Sequence, residues 1–323
     1  MSEPRLQVLE VGAIRMRVAE LGEGPLVLLC HGFPECWRSW SSQLSALADA
    51  GYRAVAPDMR GYGGADAPPE PDVYTMLHHV GDMVGLVRAL GETQAVIVGH
   101  DWGAPAAWNA ALLRPDLFRA VVGMSVPFTP PSRVDLLTAL EMQGVRTFYM
   151  QYFQAPGVAE AELEADVEAS IRRLYFSMSG DGPGRTIAGV LAPGAGILAN
   201  TVEPERLPDW LREEDIAYVA GEFNRTGFRG GLNWYRSIRR HVRVAGPMAR
   251  LRDPAAFSFY RRRAGRCAPL SGNGGPPPAT VGCAAGTARQ PYSARRRPLD
   301  SARARRRGQC TFDRVPARPL ADA

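Results

Sequence analysis

Residues 98–105 read VGHDWGAP. Gly99 and Gly103 bracket His100-Asp101-Trp102 in a G-x-Nu-x-G pattern, after a short apolar run and before a helix-like one. In that strand–turn–helix setting the middle side chain projects from a sharp turn as a nucleophile. The helix N-terminus beside it favours negative charge. A carboxylate there attacks an electrophilic carbon and forms an alkyl ester, which water activated by a histidine hydrolyses at the carboxyl carbon. Serine would suit acyl transfer. Asp101 instead fits displacement at a carbon–oxygen or carbon–halogen bond. The competing reading is a plain turn in which Asp101 caps the helix.

A second stretch, His31-Gly32-Phe33-Pro34, ends the apolar run PLVLLC. In an elbow of this kind the backbone N–H after the nucleophile and one from such a loop hold an oxyanion. That assigns the Trp102 and Phe33 amides to the oxyanion. Together with His31, Gly32 and Pro34 they make the expected oxyanion and substrate-binding set. The bland reading of HGFP is a turn and nothing more.

These residues need a frame. Arg15–Glu20, Leu26–Cys30, Arg53–Pro57, Ala95–Val98 and Val121–Met124 read as strands, several of them short apolar runs of the doubly buried kind. Ser41–Ala50, Leu77–Leu90 and Ala104–Leu113 read as helices between them. Strands alternating with helices predict a parallel sheet covered on both faces. After Phe128 the strand rhythm stops, and residues 129–237 read mainly helical, with breaks at APG, DGPG and LAPGAG. The expected organisation is an N-terminal core over 1–128, a helical insertion over 129–237, and an Arg-rich tail over 238–323 without periodicity.

Composition divides the chain in the same place. Residues 1–240 hold 21 Arg and 29 acids, whereas residues 241–323 hold 17 Arg and 4 acids. The overall charge of +5 therefore describes neither part. All six Trp precede residue 241, and there is no Lys anywhere. No apolar run is long enough to span a membrane, and MSEPRLQVLE does not read as a signal peptide, so a cytoplasmic protein is expected. The five cysteines show no metal-ligand spacing. No metal and no cofactor are expected. The tail lacks the aromatic interleaving and helical periodicity of a nucleic-acid binder, and no nucleic-acid partner is expected. Oligomeric state is left open.

HGFPECWRSW, PDMRGYGGAD, VGHDWGAPAAW, FYMQYFQAPGVAEAELE and GFRGGLNWYR, in this order within residues 5–238, resemble the epoxide hydrolases of the α/β-hydrolase superfamily. The resemblance implies the α/β-hydrolase fold, a mostly parallel sheet with helices on both faces and a helical cap insertion. It implies opening of a small apolar epoxide to a vicinal diol, and two cap tyrosines that hydrogen-bond the epoxide oxygen. These match Tyr149 in YMQYFQ, with Tyr152 as a nearby competitor, and Tyr235 in LNWYR. Ring opening makes an alkoxide, which two phenols can polarise and protonate. The Trp102 side chain is expected to wall the pocket. A haloalkane dehalogenase would share the aspartate but usually has Asn where Phe33 stands. A non-catalytic binding protein is the other alternative.

The family's acid and histidine lie after the cap, the histidine in a Gly-His-Trp context. The chain has His31, His78, His79, His100 and His241. Only His241 follows the cap, and RRHVRVAG does not match. His100 is expected to turn away from the nucleophile, and His78 and His79 to be surface or capping residues at a helix start. Codons of the tail read from their second base allow APW at 246–248, QPSLFIAGERDAV at 255–267, GHWT at 297–300 and EVNALLIEFLRG at 307–318, in family order. This reading places a frame break near Ile238–Arg243 and puts Gly265 and Pro298 where the acid and the histidine belong. It predicts an uncovered sheet edge and an ester that forms but does not turn over.

Overall fold

The computed structural model describes residues 3–130, 132–182, 189–245, 258–263 and 266–269; for the last two stretches only the backbone is considered. The core alternates strands and helices: β1 (Arg5–Val11), β2 (Ile14–Leu21), β3 (Leu26–Cys30), α1 (Ser41–Asp49), β4 (Arg53–Pro57), α2 (Met76–Ala89), β5 (Ala95–His100), α3 (Gly103–Leu113) and β6 (Phe118–Met124). Then come α4 (Leu136–Met142), α5 (Tyr149–Tyr152), α6 (Val158–Leu163), α7 (Val167–Met178), α8 (Glu213–Thr226), α9 (Arg229–Arg236) and α10 (Ile238–Ala245), followed by β7 (Ser258–Arg263) and β8 (Arg266–Pro269). Among the described residues the strands form one sheet in the order β1-β2-β4-β3-β5-β6-β7-β8. The run from β4 to β7 is parallel, and β1, β2 and β8 join antiparallel.

The central strands are apolar throughout because both faces are covered. In β3, Leu26, Leu28 and Cys30 join the layer that contains α2 and α3, whereas Val27 and Leu29 join Trp37, Trp40, Leu44 and Leu47 on the side of α1. β6 packs against α3 through Gly123, where an added Cβ would lie 2.0 Å from the Trp108 ring. Only glycine permits that approach.

The strands expected between residues 15 and 124 are present, with β5 two residues longer and β6 three residues longer at its start. β1 had no reading in the sequence, because its exposed and half-buried residues lack an apolar run. The expectation of an irregular tail from residue 238 is corrected at its beginning. Ile238–Ala245 is helical, and Ala245 is buried. The expected frame break near Ile238–Arg243 falls within this helix. β7 pairs parallel with β6, Val122 opposite Ser258. Gly265 and Pro298 lie outside the described residues.

Helices α4–α9 lie between β6 and β7 in sequence, and they dock on the loops that follow the C-terminal ends of β3 and β4. Trp234 Nε1 donates to the Arg60 carbonyl at 2.9 Å, and Trp37 Nε1 donates to the Tyr218 hydroxyl at 2.9 Å. Arg17 on β2 joins Asp58 (2.6 Å) to Glu222 of α8 (2.8 Å). Asp58 is fully buried and also accepts the amides of Trp37 and Gly64, so each of its oxygens has a donor. Arg225 of α8 reaches the Gly63 carbonyl. The surface of the helical segment and the sheet are thus joined by buried polar contacts as well as by apolar packing.

Candidate active site

Asp101 sits between β5 and α3 with φ of 50°, the left-handed region that a non-glycine residue rarely enters. The turn is forced by two close approaches. A Cβ on Gly99 would meet the Gly103 carbonyl oxygen at 2.0 Å, and one on Gly103 would meet the Cys30 carbonyl oxygen at 2.1 Å. This is a strained strand-to-helix elbow. The capping alternative fails: the N-cap of α3 is Trp102, and no side chain caps it. Asp101 Oδ1 instead accepts the Phe33 amide at 2.9 Å. The Trp102 amide also faces the carboxylate. Burial pushes the Asp101 pKa above the usual carboxylate value, while His100 and these amides pull it down.

The loop after β3 is built to present the Phe33 amide. Gly32 is required because a Cβ there would lie 2.4 Å from Asp101 Oδ1. His31 is fully buried. Its Nε2 accepts the Met59 amide at 2.9 Å, so its Nδ1 carries the proton shared with the Gly32 carbonyl at 2.9 Å. The Pro34 carbonyl accepts the Tyr175 hydroxyl of α7 at 3.1 Å. His31 and Pro34 therefore hold the loop in place, and the Phe33–Pro34 bond is cis.

Tyr149 and Tyr235 come together over this centre, their ring centroids 6.0 Å apart. The Tyr235 ring stands perpendicular to that of Trp102 at 5.0 Å and to that of Phe33 at 5.5 Å. Burial and the Asp101 carboxylate raise the pKa of both phenols, so both keep their protons. Tyr152 is not an equivalent choice. Its hydroxyl donates to Glu162 at 2.7 Å, and Glu162 in turn accepts the amides of Ile197 and Leu198. Tyr152 thus serves the fold of the helical segment.

The histidines divide differently from the expectation. His79 is fully buried, which corrects its reading as a surface or capping residue. Its ring stacks on Trp234 at 3.4 Å, and Nε2 faces the Tyr74 carbonyl at 2.9 Å. His78 meets the Thr75 hydroxyl at 2.8 Å. His241 lies on α10, half-buried, within electrostatic range of His79. His100 turns to Glu35, with Nδ1 2.9 Å from Oε1. Glu35 Oε2 also accepts the Gly32 amide at 3.2 Å. Sequence reasoning missed Glu35. The available signal was a carboxylate three residues after Gly32, able to reach back to that amide.

The sheet, the elbow and the loop that supplies the second amide are those of an α/β hydrolase, and a profile of the alpha/beta hydrolase fold matches residues 25–172. Epoxide hydrolase A of Mycobacterium tuberculosis is 42% identical over 253 residues, which is 77% of this chain and 79% of that protein. Epoxide hydrolase 1 of Siraitia grosvenorii is 46% identical, over 70% of this chain and 69% of that one. The crystal structure of epoxide hydrolase A from Mycobacterium thermoresistibile superposes with a TM-score of 0.75 at 42% identity, covering 80% of this chain and 82% of that one. The chain belongs to the epoxide hydrolase family.

Proposed function

We propose that the protein opens an epoxide by ester formation on Asp101, with Tyr149 and Tyr235 as acids and residues 129–237 as the cap that carries them. The observation that carries this reading is the convergence of two protonated phenols, Tyr235 buried and Tyr149 partly buried, on a carboxylate whose Oδ1 is already tied to a backbone amide. Oδ2 is left to attack an epoxide carbon. As the new C–O bond forms, the ring C–O bond breaks, and the alkoxide takes a proton from a tyrosine. The Phe33 and Trp102 amides then face the oxygen that gains charge when water adds to the ester carbon. Phe33, Trp102 and the phenol rings make an apolar wall, which suits a small apolar epoxide.

The second half of the reaction needs a neutral base. His31, His78 and His79 face backbone or Thr75 partners, His241 lies on α10 beyond the helical segment in sequence, and His100, the one beside Asp101, is paired with Glu35. The ester is therefore expected to accumulate. The test is intact mass spectrometry after exposure to styrene oxide. One added substrate mass, mapped to the peptide that contains Asp101, is expected. An unmodified protein that produces no diol would overturn the proposal. Release of halide from a haloalkane, without any reaction with epoxides, would favour the dehalogenase reading.

A further inference from the structure

The helix that carries Tyr149, α5, is a single turn of four residues. So short a helix has no stability of its own, and the place of Tyr149 is set by what holds that turn. On its N-terminal side the Tyr149 amide donates to the Gly189 carbonyl at 2.9 Å, and Gln151 Nε2 donates to the Val145 carbonyl at 2.9 Å. On its C-terminal side the tie runs to the helix of the other phenol. Gln154 Nε2 donates to the Met150 carbonyl at 2.8 Å and to the Tyr235 carbonyl at 3.1 Å. A side-chain amide has two N–H donors. Here one takes the carbonyl of the residue after Tyr149, and the other takes the carbonyl of Tyr235 itself.

The tie is returned from the other helix. Arg236 follows Tyr235, and its side chain is only 5% accessible. Its Nε donates to the Phe153 carbonyl at 3.1 Å, and Nη2 reaches the Ala155 carbonyl at 3.4 Å, so the guanidinium holds the backbone on either side of Gln154. Glu160 of α6 fixes the plane of that guanidinium with two contacts of 2.7 and 2.9 Å. The buried Phe153 ring packs on both phenols, 5.7 Å from Tyr149 and 4.9 Å from Tyr235. Apolar packing is non-directional, and it gathers the rings without fixing their register. Hydrogen bonds are directional, and these cross between the two tyrosine-bearing helices in both senses.

We propose that Gln154 and Arg236 form a reciprocal clamp that sets the spacing of the Tyr149 and Tyr235 hydroxyls over Asp101, and that both are positioning residues for epoxide opening. This rests on the ester-forming reading above. The clamp acts through the backbone of α5 and α9 and leaves the reacting atoms to Asp101 and the phenols. An epoxide oxygen is a small acceptor, and two O–H groups reach it together only from a fixed separation. A displacement of about 1 Å in such an arrangement can cost on the order of 10²-fold in rate. Loss of the clamp therefore acts on the protonation of the leaving oxygen and not on the attack by the carboxylate.

The experiment compares two reagents on the full chain. Styrene oxide leaves an alkoxide that must be protonated. Benzyl bromide also alkylates a carboxylate, but its bromide departs as an anion and needs no proton. Adducts on the peptide that contains Asp101 are timed by mass spectrometry. Gln154→Met fills the space without N–H donors. It is expected to slow the styrene oxide reaction by about 10-fold and to leave the benzyl bromide reaction nearly unchanged. Arg236→Lys keeps the charge beside Glu160 but loses the planar fork, and it should act in the same direction. In a chain that already carries Tyr149→Phe and Tyr235→Phe, Gln154→Met should slow styrene oxide no further, since residues that act through one another are not additive. Equal slowing of both reagents, an unchanged styrene oxide rate, or slowing that persists without the phenols would overturn the inference while leaving ester formation intact. Wild-type protein that gives neither adduct nor diol from styrene oxide would overturn the ester-forming reading and the clamp with it.

Discussion

The Phe33 amide donates to Asp101 Oδ1 across 2.9 Å, from a residue 68 positions earlier in the chain. This contact orders the carboxylate before any substrate arrives, and it leaves one oxygen for attack. Preorganised donors of this kind cost no reorganisation during the reaction.

Asp101→Ala should abolish covalent modification by epoxides. Adduct formation read by intact mass is the measurement. Because Asp101 makes no capping bond to α3, the variant should still fold with an unchanged far-ultraviolet circular dichroism spectrum.

Tyr149→Phe and Tyr235→Phe should each slow adduct formation, with the pair together losing about 10²–10⁴-fold, the usual contribution of acid catalysis. Tyr152→Phe should leave the rate of ester formation nearly unchanged and lower stability instead, because its partner Glu162 holds the backbone of residues 197 and 198. Single-turnover rates for the three variants separate the two roles.

Asp58→Ala should destabilise the fold by about 1–3 kcal/mol, because it leaves the Trp37 and Gly64 amides without their acceptor while Glu222 still pairs with Arg17. By contrast, Arg15→Ala breaks an exposed pair with Asp66, 66% and 39% accessible, and should cost under about 1 kcal/mol. Urea denaturation of both variants tests the contrast.

Stability should also depend on pH through His100. Its folded pKa of about 9 lies above the ordinary 6.5. The folded state therefore binds the proton more tightly, and the stabilisation is complete below about pH 6.5 and lost as pH rises toward 9. Glu35 is shifted down from 4.5, with His100 overcoming the effect of burial, so its own contribution is lost only in acid. The urea midpoint of the wild type should fall between pH 6.5 and 9, and the fall should be shallower in His100→Gln.

Much of this was legible without coordinates, for reasons that are local. The doubly buried strands β3 and β4 are continuous apolar runs with matching bounds. The elbow is written in Gly99 and Gly103, since no other residue type allows such contacts. Asp101 follows as the side chain that this turn exposes. Where the signal was not local the reading failed. β1 is half-exposed and has no apolar run, and α10 sits where composition had already changed.

What the residues alone determined is the chemistry of the nucleophile and the frame that carries it, because both depend on backbone conformation over a few neighbouring positions. The tertiary structure decided what depends on distant partners. Tyr149 rather than Tyr152 faces the centre because Glu162, on another helix, takes the second hydroxyl. His79 is core because Trp234 packs onto it from 155 positions away in the sequence. His100 is a protonated partner of Glu35 and not a free base because the end of β5 and the loop after β3, 65 residues apart, meet at one part-buried ion pair.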